Sequence, residues 1–169
     1  MQPLEHHIWI AHGDSSNIIG GNTVVLMALL LPTPANEQLA RKIVMTEYIP
    51  STAEWVRDQV ELYESSNGTE GLTIGKPPRP AIIVTHRGRK TGAIRKSPLM
   101  RAVDGDDYIL VASLGGAPKN PVWYYNLKAD PNVEIRDKTE VWPMKVREVV
   151  DPVEKSRLWD IAVEAYPPY

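Results

Sequence analysis

Cysteine is absent from the 169 residues of the chain. This absence excludes disulfides, thiolate catalysis, cysteine-based zinc sites and iron–sulfur clusters, and it is compatible with a reducing cytoplasm. The four histidines show no metal-ligand spacing with carboxylates, so we predict no metal site. A GxSxG or similar nucleophile motif is also missing. The sequence therefore gives no motif for nucleophilic or metal chemistry.

Long apolar runs are missing as well. The run Thr23–Leu31 ends at Pro32 and is far shorter than the roughly 20 residues that cross a bilayer. It makes a poor secretory signal, because no Lys or Arg precedes it and no small-x-small cleavage site follows at once. Residues 1–44 are thus expected to be an N-terminal extension, either poorly ordered or upstream of a native start at Met45. Residues 45–169 form the predicted domain, since this length allows one domain of ordinary size.

A strong net charge is the third feature that the chain lacks. The net charge is −2, with 43% hydrophobic and 24% charged residues, as in soluble globular proteins. Bulk attraction to nucleic acid is therefore not expected. The charge is uneven, because Ala81–Val103 holds six Arg or Lys and no acid. This strip favours a small anionic ligand, although a solvated basic hairpin explains it equally well. An RNA-binding hairpin is disfavoured by the net charge and by the acidic segment 54–64.

Three helices can be placed from their start signals. Ser51–Glu54 has the pattern of a capping box, and the helix that follows carries Val56, Val60 and Tyr63 on one face. That face could pack on a core or lie on a membrane, and the acidic residues of the segment favour packing. The second helix is predicted to follow a proline and to cover 122–129. The third begins at 151–154 and has an apolar face that includes Leu158 and Ala162.

Strands account for most of the remaining ordered segments. Tight turns join the first three, which predicts an antiparallel meander and not a βαβ unit. The predicted strands are Ala81–His86, Ile94–Val103, Tyr108–Ala112, Val133–Arg136 and Glu140–Val150. With helices at their edges, they indicate an α+β domain or a small antiparallel barrel.

Two turns and an aromatic run carry the functional interest. The turn Arg87–Gly92 lacks Walker spacing but holds two glycines and three cations, which can bind a phosphate; an ordinary polar hairpin is the alternative. The paired glycines of Ser113–Gly116 let backbone approach a flat ligand, or they simply serve a loop with positive φ. Trp123–Tyr125 lies on a helix, so we expect one or two of its rings in the core. The combination suits a ligand with a phosphate end and an aromatic end.

Four segments resemble a known family in order and spacing. They are GRKTG at Gly88–Gly92, RKSPLM at Arg95–Met100, the long stretch Asp104–Glu134 and AYPPY from Ala165. The chain from about Ser51 to Tyr169 resembles the deazaflavin (coenzyme F420)-dependent nitroreductase family, a branch of the split β-barrel flavin/deazaflavin oxidoreductases. The resemblance implies an FMN-binding-like split β-barrel of mainly antiparallel strands with flanking helices. It also implies an F420H2-dependent reductase that transfers a hydride to electron-poor nitroaromatics, quinones or activated enones.

The resemblance further implies a set of cofactor-binding residues. Arg89, Lys90 and Arg95 would bind the phosphate and glutamate tail. The other parts of the set are Ser97, Pro98 and Met100 along the ribityl chain and ring, Ala112, Ser113, Gly115 and Gly116 at the deazaflavin head, and Val122, Trp123, Tyr124 and Asn126 on the tail side. Thr91 and Leu99, which lie in the same matching segments, belong to the set as well.

Three residues are implied to act in catalysis. Ser113 would orient the ring by hydrogen bonding. Tyr166 and Tyr169 match family tyrosines that flank the ring and substrate, and either could donate a hydrogen bond or a proton. Tyr169 would therefore also contact the cofactor.

Two departures from the family pattern leave alternatives open. Leu114 stands where many members carry Lys, and the chain stops at Tyr169, where members usually continue with a further Tyr and a last strand. A C-terminally truncated domain is therefore one expectation. A non-catalytic carrier or sensor that binds F420 or a flavin is the alternative function, with FMN the weaker cofactor candidate. The expected partner is a small-molecule electron acceptor; a monomer or homodimer, and peripheral membrane contact, remain open.

Overall fold

The computed structural model describes residues 7–13 and 47–169. This part of the chain forms eight strands and three helices. In chain order they are β1 (Ile8–Gly13), α1 (Glu54–Ser65), β2 (Thr73–Ile74), β3 (Arg79–Arg87), β4 (Ile94–Met100), β5 (Val103–Asp104), β6 (Asp107–Val111), the 3₁₀ turn Leu114–Gly116, α2 (Val122–Ala129), β7 (Asn132–Asp137), β8 (Glu140–Glu148) and α3 (Pro152–Ala165). None of these helices has the length and apolar character needed to cross a membrane.

The eight strands form one curled antiparallel sheet. Its order is β2-β3-β7-β8-β1-β6-β5, and β4 also pairs with β3. The link between β4 and β5 draws the two ends together, because Arg101 N–H donates to Pro80 O at 2.9 Å and Ile109 N–H donates to Ala102 O at 2.9 Å. The predicted α+β class with a split antiparallel barrel is confirmed.

Strand β1 was not predicted. It lies between β6 and β8, with Ile8 opposite Val111 and Trp9 opposite Glu148. It falls in the region for which we expected poor order, and for Ile8–Gly13 that expectation is wrong. The strand is apolar on both faces, so it shows no period-2 alternation. Met45 and the apolar run 23–31 lie outside the described residues.

The sheet is covered on both of its faces. Inside the curl, α2 supplies Trp123, Tyr124 and Leu127 to a cluster with Trp9, Ala11, Ile82, Val84, Tyr108, Leu110, Ala112, Val133, Ile135, Met144 and Val146. On the outer face, α3 buries Leu158 and Ala162 against Ile8, Ile10 and Ile109. Helix α1 buries Val60 and Tyr63 against Ile83. The apolar faces predicted for α1 and α3 are therefore confirmed.

Helix starts agree with the sequence in two cases of three. Helix α2 has the predicted bounds, and Asp151 caps α3 by accepting from Glu154 N–H at 2.7 Å. The capping box predicted for α1 is wrong. The Ser51 hydroxyl accepts from Ala53 N–H at 3.2 Å, and the N-cap residue Ala53 offers no side-chain cap. The predicted strand 94–103 is interrupted after Met100, which separates β4 from β5.

Candidate functional site

The turn between β3 and β4 presents two cations at the protein surface. It is closed by Gly88 N–H donating to Ala93 O at 2.8 Å and by Gly92 N–H donating to Gly88 O at 2.7 Å. Gly92 has φ of +70°, which favours glycine at this position. Arg89 and Lys90 are exposed. Within the described residues, neither of them pairs with a carboxylate, so their charges are available to an anionic ligand.

Helix α2 holds this basic turn in place. Arg89 N–H donates to Asn126 Oδ1 at 3.0 Å, and the Arg89 guanidinium lies 5.1 Å from the centre of the Tyr125 ring. Asn126 is 97% buried, because its side chain lies between the turn and the sheet. The structure thus brings two of the predicted cofactor-binding residues, Arg89 and Asn126, into direct contact. Thr91 lies in the same turn and accepts from Ala93 N–H at 3.3 Å.

His86 connects the basic turn to β4. It is the last inward-facing residue of β3, following Ile82 and Val84 on the same face. Its Nε2 lies 3.1 Å from Ser97 Oγ, and its Nδ1 lies 3.3 Å from Asn126 Nδ2. Burial lowers the pKa of His86 to about 4, so the ring is neutral at neutral pH.

Sequence reasoning considered His86 only as a metal ligand and missed this role. The signal in the sequence that could have indicated it is the position of His86. The residue continues the inward face of a buried strand and stands directly before the glycine-rich turn.

Strand β4 divides the predicted ribityl and ring residues between two faces. Ser97 and Leu99 point inward, where Ser97 contacts His86 and Leu99 packs on the inner core. Pro98 is paired with Ile83, whose side chain packs under α1. Met100 lies on the same face as Pro98, because alternate residues of a strand share a face. The side chains of Ser97, Pro98 and Met100 therefore do not converge.

Arg95, which is predicted to bind the cofactor tail, also makes hydrogen bonds within the protein. One guanidinium nitrogen donates to Ile49 O at 3.0 Å and to Pro50 O at 3.3 Å. These bonds hold residues 47–50 beside β4, where Ile49 N–H also donates to Ile94 O at 3.1 Å. A guanidinium has five donors, so Arg95 retains others for a ligand.

The second predicted turn follows β6 and is held by β1. Ala112 is buried, and its N–H donates to His7 O at 2.9 Å. Ser113 has φ of −82°, whereas Leu114 has φ of +43° and the two glycines that follow have +63° and +82°. Right-handed followed by left-handed backbone turns successive N–H groups toward one side. The prediction of a positive-φ loop is confirmed, and Leu114 is 46% exposed on it.

A polar cluster around Glu148 includes His7, whose carbonyl oxygen accepts from Ala112 N–H just before this turn. Glu148 accepts from the Tyr124 hydroxyl at 2.9 Å, contacts His7 Nδ1 at 2.6 Å and lies 3.4 Å from Lys128 Nζ. Burial pushes the pKa of Glu148 up, but hydrogen bonds from Tyr124, His7 and Lys128 outweigh burial and hold that pKa below its usual value. The group fastens β1 to α2. No sequence motif indicated it, because its members come from three separate elements.

The aromatic run of α2 is divided as expected. Trp123 and Tyr124 are buried in the inner core, whereas Tyr125 is partly exposed beside Arg89. Val122, at the first position of the helix, is 76% exposed. Of the four residues predicted on the tail side, Asn126 makes a hydrogen bond to the basic turn.

Tyr166 and Tyr169 lie at the end of α3. Their rings meet edge to face at 4.9 Å, and Tyr169 also lies 6.0 Å from the Trp159 ring. Burial raises the pKa of Tyr169, so its hydroxyl stays protonated. Among the described residues, no hydrogen bond or ring contact joins either tyrosine to Arg89, Lys90 or Ser113. The structure thus places them with α3, and their role at the site stays a prediction.

Comparison with known proteins identifies the family. Residues 55–169 match the family described as F420H(2)-dependent quinone reductase. The chain belongs to this family. A Mycobacterium tuberculosis protein described as an F420H(2)-dependent quinone reductase is 40% identical over 108 residues, which cover 61% of this chain and 69% of the relative. A putative F420H(2)-dependent quinone reductase of the same organism is 35% identical over 91 residues, covering 54% of this chain and 76% of the relative.

Solved structures support the same assignment. One, described as an F420-H2 dependent reductase (FDR-A), is 46% identical with a TM-score of 0.51, covering 54% of this chain and 80% of that one. Another, described as a domain-swapped dimer, is 42% identical with a TM-score of 0.53, covering 70% and 87%. The family relationship inferred from the four sequence segments is confirmed.

Proposed function

We propose that this member of the family is an oxidoreductase that uses F420H2 to reduce quinones. The observation that carries the proposal is the family match over residues 55–169, which contains both glycine-rich turns and the whole of α2. Nitroaromatics and activated enones are proposed as further acceptors, because they too are electron-poor.

The residues present fit a cofactor with an anionic tail and a flat ring. Arg89 and Lys90 are exposed cations on a turn that Asn126 fixes to α2. The turn Ser113–Gly116 has no bulky Cβ at its two glycines and offers backbone N–H groups. One region therefore suits phosphate and carboxylate groups, and the other suits the edge of a ring.

Each part of the chain then has a task in binding. Arg89 and Lys90 hold the phosphate and glutamate groups of the tail by charge-assisted hydrogen bonds. Ser97 donates to an oxygen of the cofactor, and the Arg95 donors that are not bonded to backbone reinforce the tail site. Leu114 contributes no charge, so this tail site has one cation fewer than a member with Lys at that position.

F420H2, when bound, supplies a hydride from C5 of the deazaflavin. Ser113 orients the ring by a hydrogen bond, and the inner core beneath α2 excludes water from that side. As negative charge develops on a quinone oxygen, Tyr166 or Tyr169 donates a hydrogen bond or a proton to it. The raised pKa of Tyr169 keeps its hydroxyl protonated, which suits a hydrogen-bond donor better than a proton donor.

Titration with F420 followed by a turnover assay tests the proposal. Quenching of F420 fluorescence by the protein measures binding, with FMN as the control cofactor. Addition of menadione to protein and F420H2 should then restore the absorbance of oxidised F420. Binding without turnover would favour a non-catalytic carrier or sensor, and absence of F420 binding would overturn the proposal.

Homodimer formation is a separate proposal. The related structure described as a domain-swapped dimer supports it. Size-exclusion chromatography with light-scattering detection distinguishes a dimer from a monomer.

A further inference from the structure

A series of hydrogen bonds joins Ser97, His86, Asn126 and the Arg89 backbone, and its donors and acceptors can be assigned by starting from Arg89. The backbone N–H of Arg89 can only donate, so the Asn126 atom at 3.0 Å must be the amide oxygen. The amide nitrogen of Asn126 therefore faces His86 Nδ1 at 3.3 Å. Because an amide nitrogen is a donor, Nδ1 must accept and carries no proton.

The tautomer of His86 follows from this contact. A neutral imidazole that accepts at Nδ1 carries its proton at Nε2. Nε2–H then donates to Ser97 Oγ across 3.1 Å. The groups that face His86 are the backbone of Arg87, Ser97 and Arg95 on β4, and Asn126 on α2. Burial is the largest cause of the lowered pKa of His86; a backbone hydrogen bond with Arg87 acts against it, and the Arg95 charge acts with it.

We propose that His86 is a positioning residue that fixes the Ser97 hydroxyl as a hydrogen-bond donor to the bound cofactor. Ser97 Oγ receives the proton of His86, so its own hydrogen is directed elsewhere and needs an acceptor. An oxygen of F420 supplies such an acceptor, and the inference rests on the proposed function in this respect. The same series of hydrogen bonds fixes the basic turn through Asn126, so it couples the position of Ser97 to that of the tail-binding cations.

NMR of the protein without cofactor tests this assignment of donors and acceptors. Two-bond ¹H–¹⁵N spectra of the ¹⁵N-histidine-labelled protein should show a protonated Nε2 and an unprotonated Nδ1 for His86 at neutral pH. The His86→Gln variant identifies the signals by their loss. A proton on Nδ1, or a ring that is charged at neutral pH, would overturn the inference whatever the protein binds.

Two amide variants separate the two contacts of the ring. In His86→Gln, the amide nitrogen takes the place of Nε2 and still donates to Ser97. In His86→Asn, the shorter amide reaches Asn126 in place of Nδ1 but does not reach Ser97. We expect His86→Asn to weaken F420 binding about tenfold, as the loss of one good hydrogen bond does, and His86→Gln to stay close to wild type.

Ser97→Ala completes the cycle. If His86 acts through Ser97, the double variant His86→Asn, Ser97→Ala binds F420 no more weakly than Ser97→Ala alone. Additive losses, or equal affinities of the Asn and Gln variants, would overturn the role of His86. Should His86→Asn not fold, Ser97→Ala with unchanged affinity would overturn it equally well. Failure of the wild-type protein to bind F420 would instead overturn the proposed function, and the cofactor role of His86 with it.

Discussion

Arg89 and Lys90 differ from the other cations of the basic strip in what they already contact. Arg95 donates to two backbone carbonyls, and Lys96 pairs with Glu64 under α1. Arg89 contacts a ring face, and its backbone, not its guanidinium, makes the fixed hydrogen bond. The charge that a ligand can use is therefore concentrated at two residues of the turn.

Replacing Arg89 and Lys90 together by Ala should weaken F420 binding roughly a hundredfold or more, because two charge-assisted hydrogen bonds are lost. Melting temperature should change little, since both side chains are exposed. Fluorescence titration measures the affinity. The matched control removes two lysines from β8 and α3, Lys145→Ala and Lys155→Ala, and should leave binding unaltered. Equal affinities of the two double variants would contradict the assignment of the turn.

Leu114→Lys tests the departure from the family pattern in the opposite direction. Leu114 is 46% exposed and already has φ of +43°, so a longer side chain meets no added backbone strain. A cation here should tighten F420 binding about three- to tenfold and make the affinity more sensitive to salt. Leu114→Gln supplies a long polar side chain without charge, and an equal gain from that variant would show that charge is not the cause.

Local signals predicted some elements well, and tertiary pairing decided the others. Helix α2 is bounded by Pro121 and Asp130, and its limits follow from sequence. Strand β1 could not be found in this way, because its order depends on pairing with β6 and β8 more than 90 residues away. The site divides in the same manner. The basic turn is contiguous and was predicted, whereas His86 acquires its role from Asn126, 40 residues further along the chain.

Ile10→Ala tests whether β1 is an integral strand. Ile10 is 98% buried under α3, and truncation of a buried Ile typically costs about 2–5 kcal/mol. The free energy of unfolding in urea should therefore fall by that amount. Val153→Ala is the control, since Val153 is 77% exposed on α3 itself. Similar stabilities of the two variants would indicate that β1 does not hold the fold together.

At the scale of the whole molecule, the buried polar groups link separate parts of the sheet. Arg101 Nε and the Tyr108 hydroxyl both donate to Asp137, at 2.6 and 2.9 Å, which ties the β4–β5 link and β6 to the end of β7. His86 and Asn126 tie β3 and β4 to α2. Both groups join elements that are distant in sequence, so breaking the contacts of either group affects global stability and not only the site.

His86 should therefore make the fold sensitive to acid. Its pKa is about 4 in the folded protein and about 6.5 when unfolded, so between these values the unfolded chain binds more protons. Stability is complete above about pH 6.5 and falls as pH drops toward about 4, by up to roughly 3 kcal/mol.

Urea unfolding at a series of pH values measures this loss, and His86→Gln should flatten it because an amide does not titrate. The pKa of Glu148 is lowered, so its contribution to the stability of the fold is also lost in acid. That loss occurs below its usual pKa of 4.5. The slope at about pH 5 to 6.5 thus reports His86. An equal slope there for wild type and His86→Gln would mean that the ring accepts a proton without leaving its contacts, and Asn126 could not then be facing it with its amide nitrogen.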